Sequence, residues 1–169
     1  MAYTFRLAQG RKVGQSLVEP DKVDIAQAAL EKAKARGVNL LLPSDNIVAE
    51  SFDTGELNTK GKPIIKLRNH RVNTSTNIET DVGGVDIGPA TAEIFKNALE
   101  GAKTILWNGP MGIFEDQRFA QGTLNIARAV AEATRAGGQS IIGGGASVKA
   151  INHSGMADHV TFMSTGGGA

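Results

Sequence analysis

Cysteine is absent from the 169 residues, which excludes disulfide frameworks and thiolate metal sites and is compatible with a reducing compartment. An excess of one charge is lacking too. Eighteen basic and 17 acidic residues give a net charge of +1, so no strong field draws the chain to nucleic acid or to an anionic membrane. No apolar run approaches the length of a membrane span. The start, Met1-Ala2-Tyr3-Thr4-Phe5-Arg6, has none of the apolar core of a signal peptide. The expected location is therefore cytoplasmic. Aromatic residues are scarce, at 5%. The common nucleotide fingerprints are missing: no G-x-x-x-x-G-K-[ST] and no G-x-G-x-x-G occurs. There is no His-x-x-x-His pair for zinc, and no Ser–His–Asp set is readable. His70, His153 and His159 share no spacing and read as surface residues.

What is present is glycine, 21 residues of it, in a chain that is 41% hydrophobic and one domain long. That composition suits many tight strand-to-helix turns. From Pro20 to Arg36 the residues Val23, Ala26, Leu30 and Ala33 form one stripe of a helix, with Pro20 in its first turn and Gly37 closing it. The run Val38-Asn39-Leu40-Leu41-Leu42-Pro43 reads as a buried parallel strand covered on both faces. Residues 51–82 read as an excursion, with a short antiparallel ribbon around Ile64-Ile65-Lys66-Leu67 and then a polar loop. Its Lys60, Lys62, Lys66, Arg68 and Arg71 could meet phosphates, but such a run is more often a solvated strand edge.

Regular alternation follows. Pro89 to Leu99 is a predicted helix with Ala92, Phe95, Ala98 and Leu99 inward, then comes a strand over Thr104–Trp107. A helix over 117–136 turns Phe119, Ile126, Val130 and Ala133 to the core. A strand over Gln139–Ile142, a short helix over Ser147–Asn152 and a last strand over Val160–Ser164 complete the pattern. Strand–helix–strand at this spacing predicts an α/β fold, a parallel sheet with helices on both faces in three Rossmann-like layers.

Two glycine loops follow apolar runs, Gly143-Gly144-Gly145 after Ser140-Ile141-Ile142, and Gly166-Gly167-Gly168 after Val160–Ser164. One such loop is as readily a tight turn as a phosphate nest. Two at the ends of successive strands favour a ligand with several phosphates, because ligands of open α/β sheets sit beyond the strand C-termini. A third constellation is Trp107-Asn108-Gly109-Pro110-Met111-Gly112-Ile113-Phe114-Glu115. Asn108 offers an amide to a phosphate or a ribose, Pro110 and Ile113 an apolar edge, and Glu115 an acceptor for sugar hydroxyls. Taken by itself it is equally a strand-ending turn behind a core tryptophan.

In that order and spacing, Trp-Asn-Gly-Pro-Met-Gly-Ile-Phe-Glu, Ile-Ile-Gly-Gly-Gly and Ser-Thr-Gly-Gly-Gly-Ala resemble the C-terminal, nucleotide-binding half of the phosphoglycerate kinase family. Met1–Phe5, Ser16–Glu19, Leu40–Asp45 and Val85–Pro89 agree with it, and residues 51–82 match most loosely. The resemblance implies a glycolytic phosphotransferase that moves a phosphoryl group between 1,3-bisphosphoglycerate and ADP, giving 3-phosphoglycerate and ATP with Mg²⁺. It implies small-molecule partners and a monomeric parent. Carried over, Gly84 and Val85 line the adenine pocket, Phe52 flanks the base, Asn108 contacts the nucleotide phosphates, and Ser147 belongs to the nucleotide-binding set. Pro110, Gly112 and Ile113 bound the nucleotide and Glu115 takes the ribose hydroxyls. Gly143, Gly144 and Gly145 approach the phosphates, and Thr165, Gly166, Gly167 and Gly168 cradle the transferring group.

Two departures accompany the resemblance. Residues 1–169 correspond to an incomplete C-terminal domain of a two-domain kinase. The N-terminal substrate domain and the first strand–helix units, with the family's nucleotide lysine, have no counterpart here, and Met1 aligns with an internal methionine. The family also has an aspartate directly after Gly-Gly-Gly as a magnesium ligand, where this chain has Ala146, so no metal ligand is expected. Three readings stand: part of a kinase that is inert alone, a non-catalytic nucleotide-binding module derived from it, or a folding fragment prone to self-association.

Overall fold

Two units divide the chain, Met1–Gly88 and Pro89–Ala169, and a computed structural model describes residues 1–164 and 166. In the first unit α1 (Ala2–Ala8) packs on α2 (Val23–Ala35). The helix α2 forms where expected. A 3₁₀ turn over Pro20–Lys22 leads into it, Asp24 sits in its first turn, and Lys32 and Lys34 sit in its last, each complementing the macrodipole. Its stripe buries Ala26 and half-buries Val23, Leu30 and Ala33. Thr4 Oγ1 accepts the Glu19 N–H at 3.1 Å and ties the intervening loop to α1.

Residues 38–43 correct the expectation of a buried parallel strand: they belong to no strand, and Val38 is 59% exposed. A strand exists only through ladder bonds to a neighbour, and no described strand runs beside this segment. The strands of this unit are β1 (Asn46–Leu57), β2 (Pro63–Asn73) and β3 (Gly83–Ile87), all antiparallel in the order β2-β1-β3. The expected ribbon is the middle of the longer β1–β2 hairpin. The edge strand β2 leaves Lys66, Arg68 and Arg71 exposed, as a solvated edge requires.

Three irregularities interrupt the register of this sheet, one of them near the hairpin end between Asp53 and Leu57. Asn69 and His70 of β2 stand opposite Ala49 alone, with Asn69 at φ +51°, a conformation that its short polar side chain tolerates. In β3, Val85 is the extra residue, because Gly84 pairs with Val48 and Asp86 with Ile47. Val48, Ile78 and Val82 form the core here, with Tyr3 packed against them.

The second unit contains α3 (Pro89–Leu99), β4 (Thr104–Asn108), α4 (Gln121–Arg135), β5 (Gln139–Gly143), α5 (Gly145–His153) and β6 (Phe162–Ser164). The strands pair in parallel in the order β4-β5-β6 and are flanked by helices, which is the expected α/β class. The helix α4 buries Thr123, Ile126, Ala127, Val130 and Ala133, a three- and four-residue recurrence that makes one apolar face. Phe119, just ahead of it, and Ile142 and Ile151 are fully buried. Ala98, expected inward, is exposed, because the buried residues of α3 are Thr91 and Ala92 in its first turn. On β4, Ile105 and Trp107 turn inward. Leu106 is 71% exposed and Phe162 is 59% exposed, and the register joins them through Ile141 in one row across the sheet. No helix among the described residues is long and apolar enough to cross a membrane.

Candidate functional site

The parallel register decides where the motifs meet. Asn108, the last residue of β4, pairs with Gly143 at the end of β5, and Gly143 pairs with Ser164 at the end of β6. The loops after all three strands therefore leave from one rim of one sheet. Gly166 is exposed, and a Cβ placed on it would stand 3.4 Å from Ser164 Oγ. Thr165, Gly167 and Gly168, expected in that loop, lie outside the described residues.

At the middle strand, Gly144 takes φ +87° as the residue before α5, a conformation that few side chains tolerate. It turns the chain sharply from strand to helix. The first N–H groups of α5, from Gly145, Ala146 and Ser147, have no partner within the helix by its geometry. The Asn108 side chain lies beside this turn: a Cβ at Gly143 would stand 3.5 Å from its Nδ2, and one at Gly144 3.8 Å from the same atom. The result is an exposed carboxamide next to a helix start, both offering N–H donors to an anion.

The loop after β4 is held from inside. Trp107 Nε1 donates to the Gly109 carbonyl at 2.6 Å, and the Gly109 N–H donates to Ser147 Oγ at 2.6 Å. The Met111 N–H donates to Thr123 Oγ1 at 3.1 Å. Ser147, expected among the nucleotide-binding residues, is fully buried and latches one loop to the next. Thr123 is a positioning residue that sequence reasoning missed. Its only signal is a hydroxyl among the apolar residues on the buried face of an amphipathic helix. Pro110 and Gly112 are half-buried, while Ile113 and Glu115 are exposed beside the buried Phe114.

The remaining expected residues belong to the first unit. Gly84 and Val85 lie on the β3 bulge, where the Gly84 N–H donates to Ser16 Oγ at 2.9 Å. A Cβ at Gly84 would fall 1.8 Å from the Tyr3 hydroxyl, so the phenol fills the space that glycine leaves. Asn46 Nδ2 donates to that hydroxyl at 3.0 Å. Burial pushes the Tyr3 phenol up to about 12. Arg6, beside it, is 2% exposed and donates through Nη2 to the Pro43 carbonyl at 2.6 Å, and burial lowers its pKa. Phe52 is half-buried on β1, with the Arg68 guanidinium 5.0 Å from its ring centre and that guanidinium bonded to Glu50 at 3.2 Å.

The donor set does not fit a magnesium ion, which takes oxygen ligands and commonly one or two carboxylates beside substrate phosphates. No three His, Cys, Asp or Glu residues gather among the described residues. The position after Gly145 is the exposed methyl of Ala146. Asp116 is engaged by Arg118 through Nε at 3.0 Å and Nη2 at 2.6 Å. Asp86 is buried and accepts the Ile87 N–H at 2.8 Å. A groove of about 390 Å³ opens between α3 and α4, lined by Lys96, Gly101 and Ala136 among others. Gly101 and Ala136 lead into β4 and β5, so this groove reaches the opposite ends of the strands from the motif residues.

Comparisons with known proteins agree with this geometry. The family model described as phosphoglycerate kinase matches residues 1–169. The chain is 48% identical over 169 residues to a phosphoglycerate kinase of Chloroherpeton thalassium and 50% identical to one of a Synechococcus species. It is covered completely in both cases but spans only 40% and 38% of those proteins, about two-fifths of their length. A solved phosphoglycerate kinase from Coxiella burnetii superposes with a TM-score of 0.79 at 37% identity, over 99% of this chain and 39% of that one. One from Pyrococcus horikoshii gives 0.68 at 28% identity, over 98% of this chain and 38% of its own.

Proposed function

The chain belongs to the phosphoglycerate kinase family, and from that premise we propose that residues 1–169 are the nucleotide-binding part of a kinase that transfers a phosphoryl group between 1,3-bisphosphoglycerate and ADP, giving 3-phosphoglycerate and ATP. The alignment of Asn108, Gly143 and Ser164 at one sheet rim supports this reading most directly. Phosphoryl transfer is mainly positioning and charge neutralisation, and such a rim supplies N–H donors for it. In this reading Asn108 and the turn Gly143–Gly145 hold the nucleotide phosphates. Thr165, Gly166, Gly167 and Gly168 cradle the group in transit. Pro110, Gly112 and Ile113 bound the nucleotide, Glu115 takes the ribose hydroxyls, Gly84 and Val85 line the base pocket, and Phe52 flanks the base. Ser147 acts by holding Gly109 rather than by touching phosphate. The whole protein acts on small molecules in the cytoplasm as a monomer, touching neither nucleic acid nor membrane, and this segment alone does not turn over.

Trp107 is the chain's one tryptophan and its indole clasps the loop that follows Asn108, so its fluorescence reads the site. Titration with ADP should give a saturable change. In Asn108→Ala the affinity should fall about tenfold, as for loss of one hydrogen bond to a charged group. No saturable response in the unsubstituted chain overturns the proposal. A second reading, a nucleotide-binding module without catalysis, is favoured by Ala146, the methyl where a cation ligand is expected.

A further inference from the structure

We infer that the phosphate rim takes its nucleotide without giving any ligand to the nucleotide's cation, so that Mg²⁺ does not strengthen binding, and that position 146 decides this. The inference rests on the nucleotide reading above and concerns the same rim.

The described groups at the ends of β4 and β5 are alike in kind. They are the Asn108 carboxamide, the N–H groups that open α5 without a partner inside the helix, and the glycine backbone around φ +87° at Gly144. The N–H groups recognise negative charge or oxygen lone pairs, and the carboxamide does so through its NH₂. None of these groups is a carboxylate. Of the acidic residues in this unit, Glu100 and Asp158 precede β4 and β6, and Glu132 lies in the last turn of α4 before β5, so all three belong to the opposite strand ends. Glu93 lines a second, separate groove on α3 and α4, with Pro89, Asn125 and Arg128. Asp116 is held by Arg118 and also caps its own 3₁₀ turn through the Arg118 N–H. Glu115, exposed on the loop after β4, is the carboxylate that the nucleotide reading gives to the ribose hydroxyls.

Magnesium bound to a diphosphate withdraws charge from the same oxygens that the N–H donors seek. Where a protein carboxylate completes the metal's shell, that loss is offset and the metal adds affinity. Where position 146 offers a methyl and no carboxylate, the metal gains no ligand from the turn that holds the phosphates, keeps its waters and subtracts from the charge presented to the rim. The metal-free diphosphate is then the better ligand.

The test is isothermal titration of the 169-residue chain with ADP, once with EDTA and once with excess MgCl₂, repeated on Ala146→Asp and Ala146→Asn. Position 146 is exposed in the first turn of α5, so either side chain has room. In the unsubstituted chain, affinity with Mg²⁺ should equal that in EDTA within about threefold, or be weaker. Ala146→Asp should bind metal-free ADP less well and gain about tenfold or more when Mg²⁺ is added, because it restores one hard oxygen ligand. Ala146→Asn, of the same size without the charge, should behave like the unsubstituted chain. A tenfold gain from Mg²⁺ in the unsubstituted chain overturns the inference while leaving the nucleotide site standing. So does an Ala146→Asp chain that binds ADP with no new dependence on Mg²⁺. Absence of saturable ADP binding under both conditions removes the nucleotide reading and this inference together.

Discussion

Tyr3 is the chain's one tyrosine, and its hydroxyl occupies the space that a side chain at position 84 would need. Desolvation favours the neutral phenol and raises its pKa from 10.0 to about 12, with Arg6 opposing the shift and Asp86 adding to it. The neutral form is therefore stabilised by folding. That stabilisation is complete below pH 10 and disappears as pH climbs through the folded value, a loss of up to about 3 kcal/mol. The tyrosinate absorbance of the folded chain should rise with a midpoint near 12, and Tyr3→Phe should lose less stability between pH 10 and 12 than the parent. A midpoint near 10 would show the phenol to be solvated. At this scale the sequence was nearly silent. Nothing in Ala2–Leu7 announces that Arg6 is buried, since an amphipathic helix commonly puts its arginine in water. The trace it left lies elsewhere, in Gly84 and Gly88, where an added Cβ would collide with Tyr3 or fall 2.2 Å from the Asp45 carboxyl carbon.

Elements with a strong apolar period were legible, and those that depend on a neighbour were not. The stripe of α4 and the runs that became β4, β5 and β6 needed only their own pattern. Residues 38–43 carry the same apolar signal as β5 but lack a strand to pair with, and periodicity cannot report a partner. The β1–β2 hairpin was underestimated because β2 is largely exposed and the half-buried positions that alternate along β1 after Ala49 are Glu50, Phe52 and Thr54, so burial alternates there without an apolar sequence pattern to announce it. The motif loops after β4 and β5 were placed correctly at strand ends, since glycine behind an apolar run is a local signal, and the third lies outside the described residues but for Gly166. The latch from Gly109 to Ser147 joins residues 38 apart and had no local signal at all. The central strand should carry most of the second unit's stability. Ile142 is fully buried between β4 and β6. Ile142→Ala is expected to cost about 2–5 kcal/mol, read as a lower urea midpoint by Trp107 fluorescence. A change below about 1 kcal/mol would mean that the site collapses around the smaller side chain.

Across the molecule, burial is uneven. Leu106, Ile141 and Phe162 make an apolar row on one face of the parallel sheet, with Leu106 71% and Phe162 59% exposed, and β4 and β6 are its edges among the described strands. Apolar surface beside unpaired backbone drives association. Sedimentation or light scattering should show mass rising with concentration, and Leu106→Gln with Phe162→Gln should suppress it. A chain that remains monomeric at high concentration would contradict this. The two units also carry one chromophore each, Tyr3 in Met1–Gly88 and Trp107 in Pro89–Ala169. Heating can therefore be followed in both halves at once, in one cuvette and without labels. Coincident melting curves mark a single cooperative block, and curves that part by several degrees mark halves that melt independently.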